Sequence, residues 1–186
     1  LLTSVPLILA ATGELVAEKS GVLNLGVEGM MLMGAVAAFG AALVTGSPYL
    51  GIISGGMAGM ATAAVFALFT LGLATNQVAT GLALTIFGTG LSGLVGAPLV
   101  GQAIEGLPEF HIGMLAQIPV LGAAFKLDIM AYGCIFLVAL TAWFLSSTRA
   151  GLILRSVGIN HDSAHALGYP VLMIRSLAVL FGGFMA

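Results

Sequence analysis

The stretch that decides the fold is residues 29–104, GMMLMGAVAAFGAALVTGSPYLGIISGGMAGMATAAVFALFTLGLATNQVATGLALTIFGTGLSGLVGAPLVGQAI, which contains no Asp, Glu, Lys or Arg. One helical crossing of a bilayer takes about 20 residues, so this stretch is long enough for about three. Gly46-Ser47-Pro48 and Ala74-Thr75-Asn76-Gln77 contain residues that favour turns. We therefore predict spans at 29–45, 50–73 and 77–100, joined by two tight turns.

A fourth uncharged run, 129–148, predicts another span. The runs are apolar on all sides, unlike the alternating strands of a membrane barrel. The end segments 1–13 and 177–186 are apolar but short, and 1–13 lacks the basic start of a signal peptide. We expect an all-α, polytopic membrane helix bundle with about four complete spans and two truncated ones, a fragment of a longer protein.

The composition supports a membrane protein and excludes several other classes. Lys and Arg number 5, Asp and Glu number 7, and only 6% of residues are charged, whereas soluble domains have about 25%. A soluble enzyme, a nucleic-acid-binding protein and a disordered chain are therefore excluded. The single cysteine, Cys134, allows neither an intrachain disulfide nor a cysteine metal cluster.

The positions of the cations predict the orientation of the bundle. Segment 14–28 contains Lys19, and segment 146–175 contains three arginines. Segment 101–128 contains one lysine and three acids. Because cytoplasmic loops carry the excess of Lys and Arg, we expect 14–28 and 146–170 to be cytoplasmic and 101–128 to be outside.

Three motifs in the chain resemble known catalytic or binding motifs. The GxGxxG at 88–93 lies inside a span, where it cannot follow a strand, so a dinucleotide site is rejected. The GxSG at 90–93 resembles the nucleophile motif of rhomboid-type proteases, but no histidine lies in an apolar span. His161-Asp162-Ser163-Ala164-His165 resembles HExxH, but no third zinc ligand is evident. We predict no catalytic, metal or cofactor site, and an intramembrane protease remains a minor alternative.

No phosphate-binding GxxxxGK[ST] motif occurs, so any ATP hydrolysis must come from another chain. Within 149–170, Asn160 is a predicted N-cap, and Gly168 with Pro170 predicts a helix end. The resulting helix, 161–167, is too short to persist alone. The loops of the protein or a partner must hold it, and Ala164 and Leu167 offer a small apolar face.

The other polar cluster is 14–28, where Asn24 and Gly26 could interrupt a helix and Glu28 precedes a long apolar run. Ionisable groups at membrane depth often mark a solute pathway. Glu28 could equally be the favourable N-terminal acid of the next helix. We predict that Asn24, Glu28, Asn76 and Gln77 line the solute path or its cytoplasmic gate, and the structural alternative for Glu28 stays open.

Several of these segments together resemble a known family. Residues 13–31, GELVAEKSGVLNLGVEGMM, are similar to a signature near the start of permease subunits of ABC importers for branched-chain amino acids, ribose-type sugars and nucleosides. Residues 154–168, LRSVGINHDSAHALG, resemble the coupling loop of these subunits, and 76–84 resembles the membrane stretch between. The resemblance is closest to the nucleoside (simple sugar) permeases that pair with lipoprotein receptors.

The resemblance implies one partial permease domain over 1–186, with a cytoplasmic coupling loop at 149–170. It implies a plasma-membrane subunit that is not an enzyme, and a small neutral solute, either a nucleoside or a simple sugar. The implied partners are an ABC ATPase, a second permease subunit, an extracytoplasmic solute-binding lipoprotein and the bilayer. A branched-chain amino acid permease and a passive channel remain alternatives. The residues assigned to ATPase coupling are Arg155, Gly158, Asn160, Ala164, Leu167 and Gly168.

The predicted orientation can be tested by labelling. Cysteines introduced at Glu109 and Ser163 should react with a membrane-impermeant reagent from opposite sides, because an odd number of spans separates them. Labelling of both positions from one side would contradict the span count.

Overall fold

The computed structural model describes residues 4–104 and 129–186, and within them every regular element is helical. Four of the helices are long and apolar enough to cross a membrane: α2, α3 with its extension, α4 with its extension, and α5. The predicted all-α membrane bundle is therefore confirmed. The helices are α1 (Val5–Lys19), α2 (Val27–Thr45), α3 (Pro48–Ala67, continued by a π-turn at Leu68–Gly72), α4 (Gln77–Gly96, continued by a 3₁₀ turn at Ala97–Leu99), α5 (Ile129–Ser147), α6 (Arg149–Ile159), α7 (His161–Ala166) and α8 (Val171–Met185).

The two turns between the first three spans form where the sequence predicts them. Gly46 ends α2 in the left-handed region, with φ +67°, and Pro48 occupies the first turn of α3. Asn76 caps α4, because its side chain accepts a hydrogen bond from the Ala79 N–H at 3.1 Å. The boundaries of the four predicted spans agree with the structure within one to two residues, as such boundaries usually do.

Small residues set the packing order of the bundle, which is α4, α2, α3, α8, α1 and α5. A stripe at every fourth residue of α3 is buried: Gly51 and Gly55 face α2, and Gly59 faces α8. On α4, Gly88 lies against Gly29 of α2. Close approach of backbones replaces the hydrophobic effect as the attraction between helices in lipid.

Two helix boundaries differ from the sequence-based prediction. Helix α1 does not end at residue 13 but continues through Glu14 to Lys19, because Gly13, Val16 and Ala17 remain buried against the rest of the bundle. Helix α8 begins at Val171, ahead of the predicted 177, because Val171 packs with Val157 and Ala164. In both cases tertiary burial extends a helix into a charged segment.

Segment 149–170 contains a second helix, which the sequence patterns do not predict. Residues Arg149–Ile159 form α6, whose N-cap Thr148 accepts a hydrogen bond from the Gly151 N–H at 3.0 Å. Its buried residues Gly151, Leu154 and Val157 recur every third residue, so α6 is amphipathic. The predicted helix 161–167 is confirmed as α7, with Leu167 as its C-cap.

Three segments that connect the apolar helices pack together at one end of the bundle. Segment 20–26, the α3–α4 turn and the α6–α7 unit lie together there, because Gln77 and Arg175 both bond segment 20–26 and Gly158 packs on it. Every Lys and Arg within residues 4–104 and 129–186 also lies at this end. The prediction for 101–128 falls almost wholly outside the described residues.

The contact between α3 and α8 gives a stability prediction. A Cβ atom on Gly59 would overlap the Gly183 carbonyl oxygen, so Gly59→Ala must push the two helices apart. We expect the free energy of unfolding in detergent to fall by about 1–3 kcal/mol. Gly90→Ala is the matched control: a Cβ there meets nothing within 4 Å, so this change should leave stability equal or slightly higher. Equal effects of both changes would contradict the packing described.

Candidate functional site

The break between α1 and α2 is a non-helical segment, 20–26, in which three main-chain N–H groups donate to side-chain oxygens. The Leu23 N–H donates to Oε1 of Gln77 at 2.8 Å. The Asn24 N–H donates to Oε1 of Glu14 at 3.0 Å, and the Gly26 N–H donates to Oδ1 of Asn24 at 3.0 Å. Unpaired backbone groups are costly away from water, so these side chains stabilise the break.

Carbonyl groups of the same segment are bonded in the same manner. The Thr85 hydroxyl donates to the Leu25 carbonyl at 3.0 Å, and Nε of Arg175 donates to the Ser20 carbonyl at 3.0 Å. Gly81 permits the close approach of α4, because a Cβ there would lie 2.9 Å from the Leu25 nitrogen. We call segment 20–26 together with Glu14, Gln77, Thr85 and Arg175 the junction. It links α1, α4 and α8.

Helix α6 packs directly on the junction. Gly158 faces the turn after α1, and a Cβ on it would overlap the Lys19 carbonyl oxygen and lie 3.1 Å from the Gly21 nitrogen. Gly21 itself has φ +84°, a left-handed conformation that favours glycine. Gly158, predicted to act in ATPase coupling, therefore contacts the protein's own junction.

Helix α7 is held by the chain itself. Asn160 accepts a hydrogen bond from the Ser163 N–H at 3.0 Å, and Gly168 has φ +86°, so both predicted caps are confirmed. Ala164 is only 2% exposed and packs against Val157 and Val171. The prediction that Ala164 contacts the ATPase is therefore wrong, because its face of α7 packs on α6 and α8.

The exposed apolar groups near α7 lie on its outer side. Leu167 is 77% exposed and Ile159 is 86% exposed, and the two flank the short helix. Leu167 was predicted as a docking residue, and Ile159 was missed. The sequence feature that could have identified Ile159 is its apolar side chain between Gly158 and the N-cap Asn160, where the following residues are polar. Arg155 is half-buried, and its Nε atom has no hydrogen-bond partner among the described residues.

The predicted path residues separate into two groups. Asn24 is 3% exposed, and its Nδ2 atom donates to the Met30 sulfur at 3.5 Å. It therefore stabilises the break, and its assignment to the solute path or its cytoplasmic gate stays a prediction. Gln77 belongs to the junction, Asn76 is the exposed cap of α4, and Glu28 is exposed in the first turn of α2. This position of Glu28 fits both a residue of the solute path and the favourable N-terminal acid of α2.

The two protease-like motifs lie in separate settings. Ser92 is buried in α4, and its hydroxyl donates to the Thr89 carbonyl at 3.1 Å. His161 and Asp162 are exposed and contact each other at 3.4 Å. Among residues 4–104 and 129–186, no group of three or more His, Cys, Asp or Glu side chains could hold a metal ion.

The described part of the chain contains a cavity that the junction residues do not line. It has a volume of about 620 Å³ and is bounded by α1, α5, α6 and α8. Thr141, Trp143 and Tyr169 carry the few polar atoms of a wall that is otherwise apolar. This lining does not suit a polar solute, so we place the functional site at the junction.

The fold and the junction define a polytopic helical membrane protein with a broken helix joined to a short, capped helix at one end of the bundle. The family described as the permease component of the branched-chain amino acid transport system matches residues 1–186, and the chain belongs to this family. No solved structure matches the chain.

Three curated relatives were found. The chain is 40% identical over 185 residues to the provisionally named glucose ABC transporter permease protein TsgC13 of Haloferax volcanii, covering 97% of this chain and 56% of the relative. It is 32% identical over 197 residues to the guanosine ABC transporter permease protein NupQ of Bacillus subtilis, and the match covers 98% of this chain and 61% of the relative. It is 30% identical over 197 residues to the nucleoside ABC transporter permease protein NupC of Lactococcus lactis, and the match covers 100% of this chain and 62% of the relative. The chain thus spans little more than half the length of these relatives.

The junction gives a prediction about local opening. Gln77→Leu keeps the volume of the side chain and removes the acceptor of the Leu23 N–H. Loss of a bond worth about 1 kcal/mol should raise deuterium exchange in 20–26 roughly five- to ten-fold. Asn76→Ser keeps a capping oxygen on the neighbouring residue and should leave exchange in this segment unchanged. Unchanged exchange in Gln77→Leu would show that the bond does not hold the segment.

Proposed function

We propose that the chain forms part of the permease subunit of an ATP-driven importer that carries a small neutral solute, a nucleoside or a simple sugar. The subunit has no catalytic site of its own, and a cytoplasmic ABC ATPase binds it at α7. A second permease subunit and an extracytoplasmic solute-binding lipoprotein complete the importer. Family membership and the named transport activities of the relatives support this proposal.

The observation that carries the proposal is an unbroken series of contacts from α7 to α4. Ala164 of α7 packs on Val157 of α6, and Gly158 beside it packs on the turn after α1. The segment that follows this turn is bonded by Gln77 and Thr85 of α4. A displacement of α7 is therefore passed through packed backbone, which deforms little, to the break, and it changes the position of the break relative to α4.

This series of contacts suggests how ATP hydrolysis moves the solute path. A helix held on one side by its own chain and exposed on the other can transmit motion, because its orientation is fixed. The six residues of α7 would be marginal alone; the cap at Asn160 and the packing of Ala164 keep the helix formed before a partner binds. Leu167 and Ile159 then provide the apolar contact with the ATPase.

The choice of solute rests on the relatives and on charge. Two relatives are named for nucleosides or guanosine and one for glucose, and none of the three for a branched-chain amino acid. The spans from 29 to 104 contain no charged residue, which suits a neutral solute. The branched-chain amino acid alternative is therefore less favoured, and so is the intramembrane protease.

The orientation follows from the cations at the junction end. Lys19, Arg149, Arg155 and Arg175 all lie at the end that carries α6 and α7. Because positive residues are retained on the cytoplasmic side, this end faces the cytoplasm of a plasma membrane. The ATPase would approach α7 from there.

Docking can be tested at Leu167. Leu167→Asp places a charge in the proposed contact without touching the core, because the side chain already faces outward. Burying an unpaired carboxylate costs several kcal/mol, so co-purification of the ATPase and uptake should be lost together. Val100→Asp is the matched control, since Val100 is 83% exposed at the other end of α4, and both activities should remain. Retained co-purification in Leu167→Asp would contradict docking at α7. Ala164→Glu does not test docking, because it disrupts the core.

Transmission can be tested separately at Gly158. Gly158→Val forces α6 away from the turn at Lys19 and leaves the outer face of α7 unaltered. We expect the ATPase to bind and hydrolyse ATP while uptake is lost or strongly reduced, because the displaced α6 no longer packs on the turn at Lys19. Gly133→Val, where a Cβ meets nothing within 4 Å, is the control and should keep uptake. Normal uptake in Gly158→Val would exclude the α6 contact as the route.

A further inference from the structure

The carboxyl group of Glu14 is only half satisfied in the junction. Its Oε1 atom accepts a hydrogen bond from the Asn24 N–H at 3.0 Å. Its Oε2 atom is buried and has no hydrogen-bond partner among the described residues. A charged oxygen without a donor is costly to bury, and protonation removes the charge. The surroundings of Glu14 therefore favour the neutral acid.

The position of Glu14 in the chain gives its proton access to water. Glu14 lies outside the four helices that are long and apolar enough to cross a membrane, in the part of α1 that leads into the junction. Helix α1 continues through this part because Gly13, Val16 and Ala17 are buried, which leaves Glu14 half-buried. Its proton can therefore come from the solution at the junction end of the bundle.

The electrostatic setting agrees with this geometry. Burial raises the pKa of the Glu14 carboxyl from 4.5 to about 7, the hydrogen bond from the Asn24 N–H opposes the rise, and the Glu18 carboxylate adds to it. Segment 20–26 and α4 carry no titratable side chain. The other charged or titratable groups on α1 and on the helices that pack against it are Lys19 on α1, Glu28 on α2, Tyr132 and Cys134 on α5, Arg149 and Arg155 on α6, and Arg175 on α8.

Protonation of Glu14 bears on the break because Glu14 bonds the residue that organises it. Asn24 is 3% exposed, and its Oδ1 atom accepts a hydrogen bond from the Gly26 N–H at 3.0 Å. We call the break closed when these bonds are formed. If the break opens, water reaches Glu14 and its pKa returns toward 4.5. The raised pKa belongs to the closed break, so proton binding favours closure fully below pH 4.5, and this preference is lost as the pH rises through 7.

We propose that Glu14 is a proton-binding site that controls the break: segment 20–26 stays closed while the Glu14 carboxyl holds a proton, and release of that proton to water loosens it. The proton passes between a carboxyl oxygen and water, and no other covalent bond changes. This inference goes beyond the proposed transport function and does not depend on it, because it concerns the break in the absence of ATP and solute.

Hydrogen–deuterium exchange of segment 20–26 in the complete permease, without ATP or solute, measures how often the break opens. The rates are converted to protection factors, because chemical exchange itself accelerates with pH. For a pKa of 4.5 in the open break and about 7 in the closed break, protection should fall about ten-fold between pH 6 and pH 8. The turn at Gly46, at the other end of α2, is the internal reference and should show no such fall.

Two variants on α1 separate Glu14 from its neighbour. Glu14→Gln keeps an oxygen that can accept the Asn24 N–H but cannot ionise. Its protection should be equal at both pH values and close to that of the wild type at pH 6. Glu18→Gln is the matched control, because Glu18 is an exposed acid on the same helix. The fall in protection should remain in this variant, with its midpoint at lower pH, since a like charge has been removed.

Histidine is the other side chain that commonly titrates in this pH range. A variant with His111, His161 and His165 changed to Gln should therefore show the same fall in protection as the wild type. Infrared spectroscopy detects the proton itself, through the C=O band of a protonated carboxyl group. This band should disappear with a midpoint near pH 7 in the wild type and be absent from Glu14→Gln.

Equal protection of the wild type at pH 6 and pH 8 would overturn the proposal, as would a fall that persists in Glu14→Gln or vanishes in the histidine variant. A wild type without the titrating carboxyl band would also overturn it. The two wild-type measurements decide the matter even if Glu14→Gln fails to fold. None of these measurements involves uptake, so failure of the proton site would leave the importer proposal standing, and absence of uptake would leave the proton site standing.

Discussion

Hydrogen bonding of the main chain in segment 20–26 is the constraint on which the rest of the structure depends. A break between two apolar helices leaves amides and carbonyls without helical partners, and each is costly in a medium with little water. Glu14, Gln77, Thr85 and Arg175 satisfy them from three different helices. The break is thus stable only while α1, α4 and α8 keep their positions around it.

In the proposed importer, the same constraint makes the break a suitable connection between the ATPase and the solute path. A continuous helix would move as a rigid rod, whereas a segment held by side-chain bonds worth about 1 kcal/mol each can exchange partners. The contact between Gly158 and the turn at Lys19 places α6 against this segment. In the proposed importer, a displacement of the α6–α7 unit would therefore act directly on this segment.

Local features of the structure were predictable from the sequence, and long-range ones were not. The spans, the turns at Gly46 and Asn76, and the caps of α7 follow from residues within a few positions of each other. The bond between Leu23 and Gln77 joins residues 54 positions apart, and nothing in either neighbourhood indicates the pairing. The burial of Ala164 was missed for the same reason: a short helix has two faces, and its tertiary contacts with Val157 and Val171 decide which one is covered.

The measurement that tests the central claim most directly is a reversible crosslink between the break and α4. Cysteines at Leu23 and Gln77, in a chain with Cys134→Ser, would be joined by a short, reducible bifunctional reagent. If the break must move relative to α4, crosslinked importer should bind its ATPase and fail to take up solute, and reduction should restore the uptake of the untreated double variant. Single-cysteine variants treated in the same way should be unaffected. Full uptake by the crosslinked protein would contradict the account.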